Sequence, residues 1–188
     1  MKKFRIYINA PITLMFVILC LMSLVLDSIT SGESTRLIFS TYGSSLTDPL
    51  TYIRLVGHVF GHENLAHLVS NVLYLLLLGP VLEEKYHEKI ISVILVTAIV
   101  TGIFSNIMQP NVILLGSSGV VFAFILMASI TGKREGIPIT LILVAILWLG
   151  QEIYSGINTS DNISQLTHII GGLSGAMLGL IFKNEKSD

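Results

Sequence analysis

The chain has 188 residues, of which 52% are hydrophobic and only 12% carry a charge, and its formal net charge is -1. Charged residues are about half as frequent as in ordinary soluble domains, so they are too few to cover a surface that faces water. The near-zero net charge argues against a nucleic-acid partner, and the single cysteine, Cys20, excludes an intrachain disulfide and a cysteine metal cluster. We therefore expect a helical protein embedded in the lipid bilayer, with no cofactor.

Apolar stretches close to the length that crosses a bilayer, about 20 residues, recur along the chain. The hydrophobic pattern predicts spans near residues 10–29, 66–82, 90–108, 118–131, 137–155 and 166–182. Charged or turn-forming residues separate them, as in Glu83-Glu84-Lys85 and Lys133-Arg134-Glu135-Gly136. The predicted fold class is an all-α membrane protein, a six-transmembrane-helix bundle that forms a single domain over residues 1–188.

The first apolar run, Pro11 to Leu26, follows Lys2, Lys3 and Arg5 and in this respect resembles a secretory signal peptide. Its exit lacks an obvious pair of small residues for cleavage. An uncleaved first span is therefore the better interpretation.

The basic residues sort to one side of the membrane when six spans are assumed. Nine of them share one side: Lys2, Lys3, Arg5, Lys85, Lys89, Lys133, Arg134, Lys183 and Lys186. Only Arg36 and Arg54 lie opposite. Because cytoplasmic loops carry the excess of lysine and arginine, we expect both termini in the cytoplasm, with the plasma (inner) membrane as the host. Residues 30–65 then form a long outer loop, a candidate functional element that is either partly embedded in the interface or solvated.

Polar side chains inside a span are expensive and usually face the interior of a bundle. Three such sets begin the second, fourth and sixth predicted spans, all toward the outer side. The first set is His67 and Asn71, which are four residues apart and so share a helical face. Considered alone, this pair is expected to bridge helices as a packing contact.

The second set is the turn Gly116-Ser117-Ser118-Gly119, which precedes the fourth span. Considered alone, a serine here is expected to cap a helix N-terminus. A G-x-S-G turn also suits a nucleophile, because small flanking residues admit a substrate backbone and free backbone N–H groups face an oxyanion. The fourth span rises only about 21 Å at about 1.5 Å per residue, so Ser118 is predicted to lie below the outer surface of a core about 30 Å thick.

The third set is His168, which precedes a stripe of small residues spaced four apart. The stripe consists of Gly171, Gly175 and Gly179. Small residues at this spacing let two membrane helices approach closely, and Gly119 and Ala123 give the fourth span small residues of its own. The predicted partner of His168 is therefore Ser118.

A serine hydroxyl is a weak nucleophile until a neighbouring base accepts its proton, and histidine serves as that base at neutral pH. The attacked carbonyl also needs donors for its oxyanion, which Asn71, His67 and the Ser118 backbone N–H could supply. Asp161, in an outer loop, is seven positions before His168. We therefore predict a Ser118–His168 dyad rather than a triad.

The combination resembles the rhomboid family of intramembrane serine proteases, over nearly the whole chain. The matching fragments are His58-Val59-Phe60-Gly61-His62, His67-Leu68-Val69-Ser70-Asn71, Leu78-Gly79-Pro80-Val81-Leu82-Glu83, Gly116-Ser117-Ser118-Gly119, and His168-Ile169-Ile170-Gly171 followed by Gly175. Their order and their positions on the second, fourth and sixth spans make the set specific.

The resemblance implies Ser118 as nucleophile, His168 as general base and acid, and Asn71 with His67 around the oxyanion. It gives His58 and His62 supporting roles. It further implies a partly embedded outer loop, and substrates that are single-span membrane proteins cut near the outer end of their helix. Small residues at the cut are the family's usual preference.

Two positions depart from the family pattern. Tyr52-Ile53-Arg54 lacks the tryptophan that many relatives carry before the arginine, which leaves the anchoring of the loop open. Phe122 stands where some relatives have a tyrosine, and an aromatic ring there is still expected to pack on His168.

Three other functions share part of this sequence pattern. His62-Glu63-Asn64-Leu65-Ala66-His67 resembles the H-E-x-x-H zinc motif, but these histidines are five apart, about 140° around a helix, so we expect no metal. A catalytically inactive relative that binds client helices is disfavoured by the retention of Ser118 and His168. A transporter that moves protons through buried histidines leaves the G-x-S-G turn unexplained.

Overall fold

The computed structural model describes residues 6–130, 136–158 and 162–184, and within these ranges all regular secondary structure is helical. The α-helices are α1 (Pro11–Ile29), α2 (Pro49–Gly57), α3 (Leu65–Tyr86), α4 (Lys89–Met108), α5 (Ser118–Ala128), α6 (Ile139–Asn158) and α7 (Asn162–Asn184). Two short turns of helix, Thr35–Phe39 and His58–Phe60, flank α2. The six helices other than α2 coincide with the six predicted apolar stretches to within a few residues at each end.

Helix α3 ends four residues beyond the predicted span 66–82, because Glu83-Glu84-Lys85, which the charge pattern places between two spans, lies within the helix. Glu83 is buried, and its carboxylate accepts hydrogen bonds from the backbone N–H groups of Ile12 (2.8 Å) and Thr13 (2.9 Å) and from the Thr13 hydroxyl (2.9 Å). The first N–H groups of a helix lack intrahelical partners and attract negative charge. Glu83 therefore ties the start of α1 to the end of α3.

The helices present apolar side chains outward. Helices α1, α3, α4 and residues 165–183 of α7 are long and apolar enough to cross a membrane, while α5 and the first part of α6 are shorter apolar helices. Large apolar side chains such as Leu73, Leu77, Ile107 and Leu147 are exposed. Soluble monomers rarely expose large contiguous apolar patches, whereas lipid tails accommodate them. The chain is therefore an integral membrane protein.

The small-residue stripe of α7 packs directly on α5. A Cβ atom added to Gly171 would lie 2.5 Å from the carbonyl oxygen of Gly119, and one added to Gly175 would overlap the backbone of Ala123. Because the two backbones are in contact, only glycine fits at these positions of α7. This contact holds the N-terminal end of α5 against the first half of α7.

The connection between α1 and α3 is ordered, and it is fastened to the segment that precedes α5. Thr41 exchanges two backbone hydrogen bonds of 2.8 Å with Leu114. Arg54 of α2 is buried and forms an ion pair of 2.8 Å with Asp48, whose side chain also caps the N-terminus of α2. The residues that lead into α5 are therefore positioned partly by the connection before α3.

Candidate active site

Ser118 and His168 lie within hydrogen-bonding distance. Ser118 is the first residue of α5, His168 lies in the second turn of α7, and Nε2 of His168 is 2.9 Å from Oγ of Ser118. Both side chains are half-buried, so they are sheltered but reachable. The glycine contacts between the helices explain the short distance, because Gly171, one turn after His168, lies on Gly119, the residue after Ser118.

Aromatic rings back the imidazole of His168. The centroid of the Phe122 ring lies 4.5 Å from that of His168, and the centroid of Trp148 on α6 lies 5.1 Å from that of Phe122. Trp148 also covers Gly172. The expected packing of an aromatic residue at position 122 on His168 is therefore present, and it restrains the tilt of the imidazole.

His67 and Asn71 approach the site from the start of α3. The ring of His67 lies against Gly116, where an added Cβ would be 3.0 Å from the ring Nε2 and 3.8 Å from Oγ of Ser118. Gly116 has φ +123°, a conformation that favours glycine. Asn71 follows His67 by one turn on the same face; it is 6% exposed, and its side-chain NH2 group makes no hydrogen bond within the described residues. Asn71 therefore offers a free, buried donor.

His58 and His62 lie in the connection before α3 and are buried. Nδ1 of His58 is 3.3 Å from the Arg54 carbonyl oxygen, and its Nε2 is 3.3 Å from Oγ1 of Thr101 on α4. The His58 carbonyl accepts a 2.9 Å hydrogen bond from the N–H of Gly116. Desolvation by burial lowers the pKa of each of these two histidines from 6.5 to about 4, so both are neutral at pH 7.

A second serine–histidine pair lies beside the first. Nε2 of His62 is 3.2 Å from Oγ of Ser117, and its Nδ1 is 3.1 Å from the carbonyl oxygen of Phe60. Ser117 is 0% exposed and His62 is 1% exposed, so the Ser117 hydroxyl is closed to the surroundings of the protein. Burial therefore distinguishes the adjacent serines, because only Ser118 is partly exposed.

The sequence did not reveal two of these contacts. The bond between Ser117 and His62 joins residues 55 positions apart, and nothing local marks that pairing. Trp148 is the only tryptophan of the chain. A single indole within an apolar helix is the sequence signal that could have indicated its packing beside the site. Its N–H group is buried without a partner among the described residues.

The histidines of the apparent zinc motif do not form a metal site in the described part of the chain. His62 and His67 pack ring edge to ring face, with centroids 5.1 Å apart. No group of three or more histidine, cysteine, aspartate or glutamate side chains in residues 6–130, 136–158 and 162–184 is arranged to hold a metal ion.

Comparison with known proteins supplies the family. A model of the Rhomboid domain matches residues 49–185. Rhomboid-related protein 1 of Caenorhabditis elegans is 30% identical over 139 residues, covering 68% of this chain and 39% of that protein. Rhomboid protease GlpG of Serratia proteamaculans (strain 568) is 27% identical over 176 residues, covering 89% of this chain and 61% of that protein. The protein of the same name in Yersinia pestis (strain Pestoides F) is 28% identical over 179 residues, covering 91% of this chain and 61% of that protein.

This chain thus spans between about two fifths and three fifths of the length of these relatives. The domain match nevertheless covers well over half of the chain, and it includes all three polar sets: His67 with Asn71, the turn Gly116–Gly119, and His168. The chain belongs to the rhomboid family.

Proposed function

We propose that this chain is a serine endopeptidase that cuts membrane proteins within the bilayer, with Ser118 as nucleophile and His168 as general base and acid. The single observation that carries the proposal is the 2.9 Å distance between Ser118 Oγ and His168 Nε2. Two of the relatives described above bear the name rhomboid protease, which supports the same reaction class.

The first chemical step is acylation. Ser118 Oγ attacks the scissile carbonyl carbon while its proton passes to His168 Nε2, which is unprotonated beforehand. Negative charge develops on the carbonyl oxygen, where the Asn71 amide, the Ser118 backbone N–H and His67 supply hydrogen bonds. The imidazolium then protonates the leaving amine, the C–N bond breaks, and an ester to Ser118 remains.

The second step is deacylation. Water enters the half-buried site, His168 accepts one of its protons, and the resulting nucleophile attacks the ester carbonyl. Collapse of the second tetrahedral intermediate returns the proton to Ser118 and releases the carboxylate product. Phe122 packs on the His168 imidazole in both steps. The imidazole therefore keeps one orientation while it accepts and delivers each proton.

The proposed setting is a six-span bundle with both termini in the cytoplasm and the site opening to the outer side. Helix α5 has 11 residues, about 16 Å at about 1.5 Å per residue, against a hydrocarbon core of about 30 Å. A helix this short leaves Ser118 recessed below one surface. Substrates that fit such a site are single-span membrane proteins cut near the outer end of their helix.

The test is covalent labelling of the purified protein with a fluorophosphonate probe, run alongside cleavage of a panel of single-span proteins. We expect the wild type to be labelled and to cleave, and Ser118→Ala to do neither, because the probe reacts only with an activated hydroxyl. Ser117→Ala should keep substantial activity, since Ser117 is fully buried.

Labelling that survives in Ser118→Ala and disappears in Ser117→Ala would reject the assignment of the nucleophile. A folded wild-type protein that is neither labelled nor active would favour the alternative function, a catalytically inactive rhomboid that binds client helices.

A further inference from the structure

The residue before the proposed nucleophile has an unusual backbone and an unusual hydrogen bond. Ser117 is the N-cap residue of α5, with φ -81° and ψ 4°. This lies in the sparsely populated bridge region, where many active-site residues are found. An N-cap serine normally accepts a hydrogen bond from an N–H of the first helical turn, but the Ser117 side chain makes no such bond.

The Ser117 hydroxyl is used by His62 instead. Since the Phe60 carbonyl oxygen can only accept, the proton of His62 is on Nδ1, and Nε2 is left to accept from the Ser117 hydroxyl. The low pKa of the buried His62, about 4, keeps that nitrogen unprotonated near neutral pH. The direction of the hydrogen bond is therefore determined by the connection before α3.

We propose that Ser117 and His62 form a positioning pair, which orients the peptide between Ser117 and Ser118 so that the Ser118 N–H faces the developing oxyanion. The proposal rests on the proposed function and deepens it. Rotation about the backbone dihedral angles of Ser117 would reorient this peptide plane. The hydrogen bond from the Ser117 side chain to His62, in the connection before α3, resists that rotation.

The same bond leaves donors free at the start of α5. The Ser117 carbonyl accepts the first helical bond, 2.9 Å from the N–H of Val121, while the N–H groups before Val121 have no intrahelical acceptor. A capping serine hydroxyl would occupy one of them. Because the Ser117 hydroxyl is bonded to His62 instead, it occupies none of these donors.

The experiment measures kcat, KM and the rate of fluorophosphonate labelling in variants that remove or retain the bond. Loss of one hydrogen bond worth about 1 kcal/mol predicts that Ser117→Ala lowers kcat and the labelling rate about fivefold, with KM within twofold of wild type. Ser117→Thr, which keeps a hydroxyl, should recover most of the rate. His62→Gln, whose carbonyl oxygen can accept, should behave likewise, whereas His62→Leu should resemble Ser117→Ala.

Two measurements separate positioning from simple loss of stability. The double variant Ser117→Ala, His62→Leu should be no slower than either single variant, because both remove the same bond. Ser23→Ala is the matched control: Ser23 is 1% exposed on α1, and its hydroxyl has no partner among the described residues. It removes an equally buried hydroxyl and should leave kcat unchanged.

A wild-type kcat in Ser117→Ala, or losses that multiply in the double variant, would overturn the positioning pair. If Ser118→Ala is inactive in the same series, that result leaves the proposed function standing. A Ser118→Ala variant as active as the wild type overturns both.

Discussion

The side-chain NH2 group of Asn71 is buried without a hydrogen-bond partner among the described residues. Leaving a buried donor without an acceptor costs about 1–3 kcal/mol, and Asn71 is 6% exposed with an unpartnered NH2 group within the described residues. The cost of an unpartnered NH2 group is offset if the reaction brings a hydrogen-bond acceptor to it. The oxygen of a tetrahedral intermediate on Ser118 is an acceptor of this kind.

Replacing Asn71 by alanine therefore tests the oxyanion assignment. Removal of one oxyanion donor typically costs about 10²–10³ in kcat, so Asn71→Ala should lose about that much while KM stays nearly constant. Steady-state cleavage of a single-span substrate measures both constants. An Asn71→Ala variant with an unchanged kcat would exclude the amide from the reaction.

At the scale of elements, the contact between α5 and α7 decides whether Ser118 and His168 can meet. A Cβ on Gly175 would overlap the Ala123 backbone, and neither backbone can move without separating the helices. Overpacking of this kind costs about 1–3 kcal/mol. A Cβ at position 175 would push α7 away from α5 one turn beyond Gly171, and this displacement would also move His168 away from Ser118.

We accordingly expect Gly175→Ala to lower both the thermal midpoint in detergent and the fluorophosphonate labelling rate. Gly150→Ala provides the matched control, because Gly150 lies in α6 with nothing within 4 Å of its added Cβ. Alanine is the better helix former by about 1 kcal/mol, so Gly150→Ala should keep or raise the midpoint. Equal behaviour of the two variants would contradict the close packing of α5 and α7.

At the scale of the whole molecule, stability should fall as the medium becomes acidic. His58 and His62 are buried with pKa values near 4, against 6.5 when exposed. Between these values the unfolded chain binds more protons than the folded one, so the free energy of unfolding decreases as the pH falls through this window. The stabilisation is fully present above pH 6.5.

The thermal midpoint in detergent should therefore be lower at pH 5 than at pH 7.5. The difference should shrink in His58→Gln, because glutamine does not titrate. A midpoint that does not change over this range, or a His58→Gln variant with the full pH dependence, would contradict the buried neutral state of these histidines.

Orientation in the membrane is also a property of the whole molecule. Nine of the 11 lysines and arginines lie on one side of the proposed six-span arrangement, and this excess marks the cytoplasmic side. A reporter domain fused after Lys186 should therefore be cytoplasmic. A reporter found on the outer side would overturn the six-span proposal and the outward-facing site with it.

Much of the helical layout and part of the site followed from the sequence by itself. Apolar stretches of membrane length located the helices, because burial in lipid acts on each stretch separately. The glycine spacing of α7 predicts a close helix contact, and that contact pairs His168 with Ser118. Apolar stretch length and glycine spacing are local patterns, so each can be recognised within a single segment of the sequence.

Only the tertiary structure decided which polar groups meet across long separations in the chain. The charge pattern places Glu83 between two spans, yet it lies within α3 and caps α1 from 70 residues away. The hydrogen bonds to its carboxylate allow α3 to continue through this position. The family resemblance predicts only a supporting role for His62, and the packing of the helices gives it Ser117 as a hydrogen-bond partner. Such pairings depend on how whole helices are placed against one another, and neither periodicity nor composition encodes that placement locally.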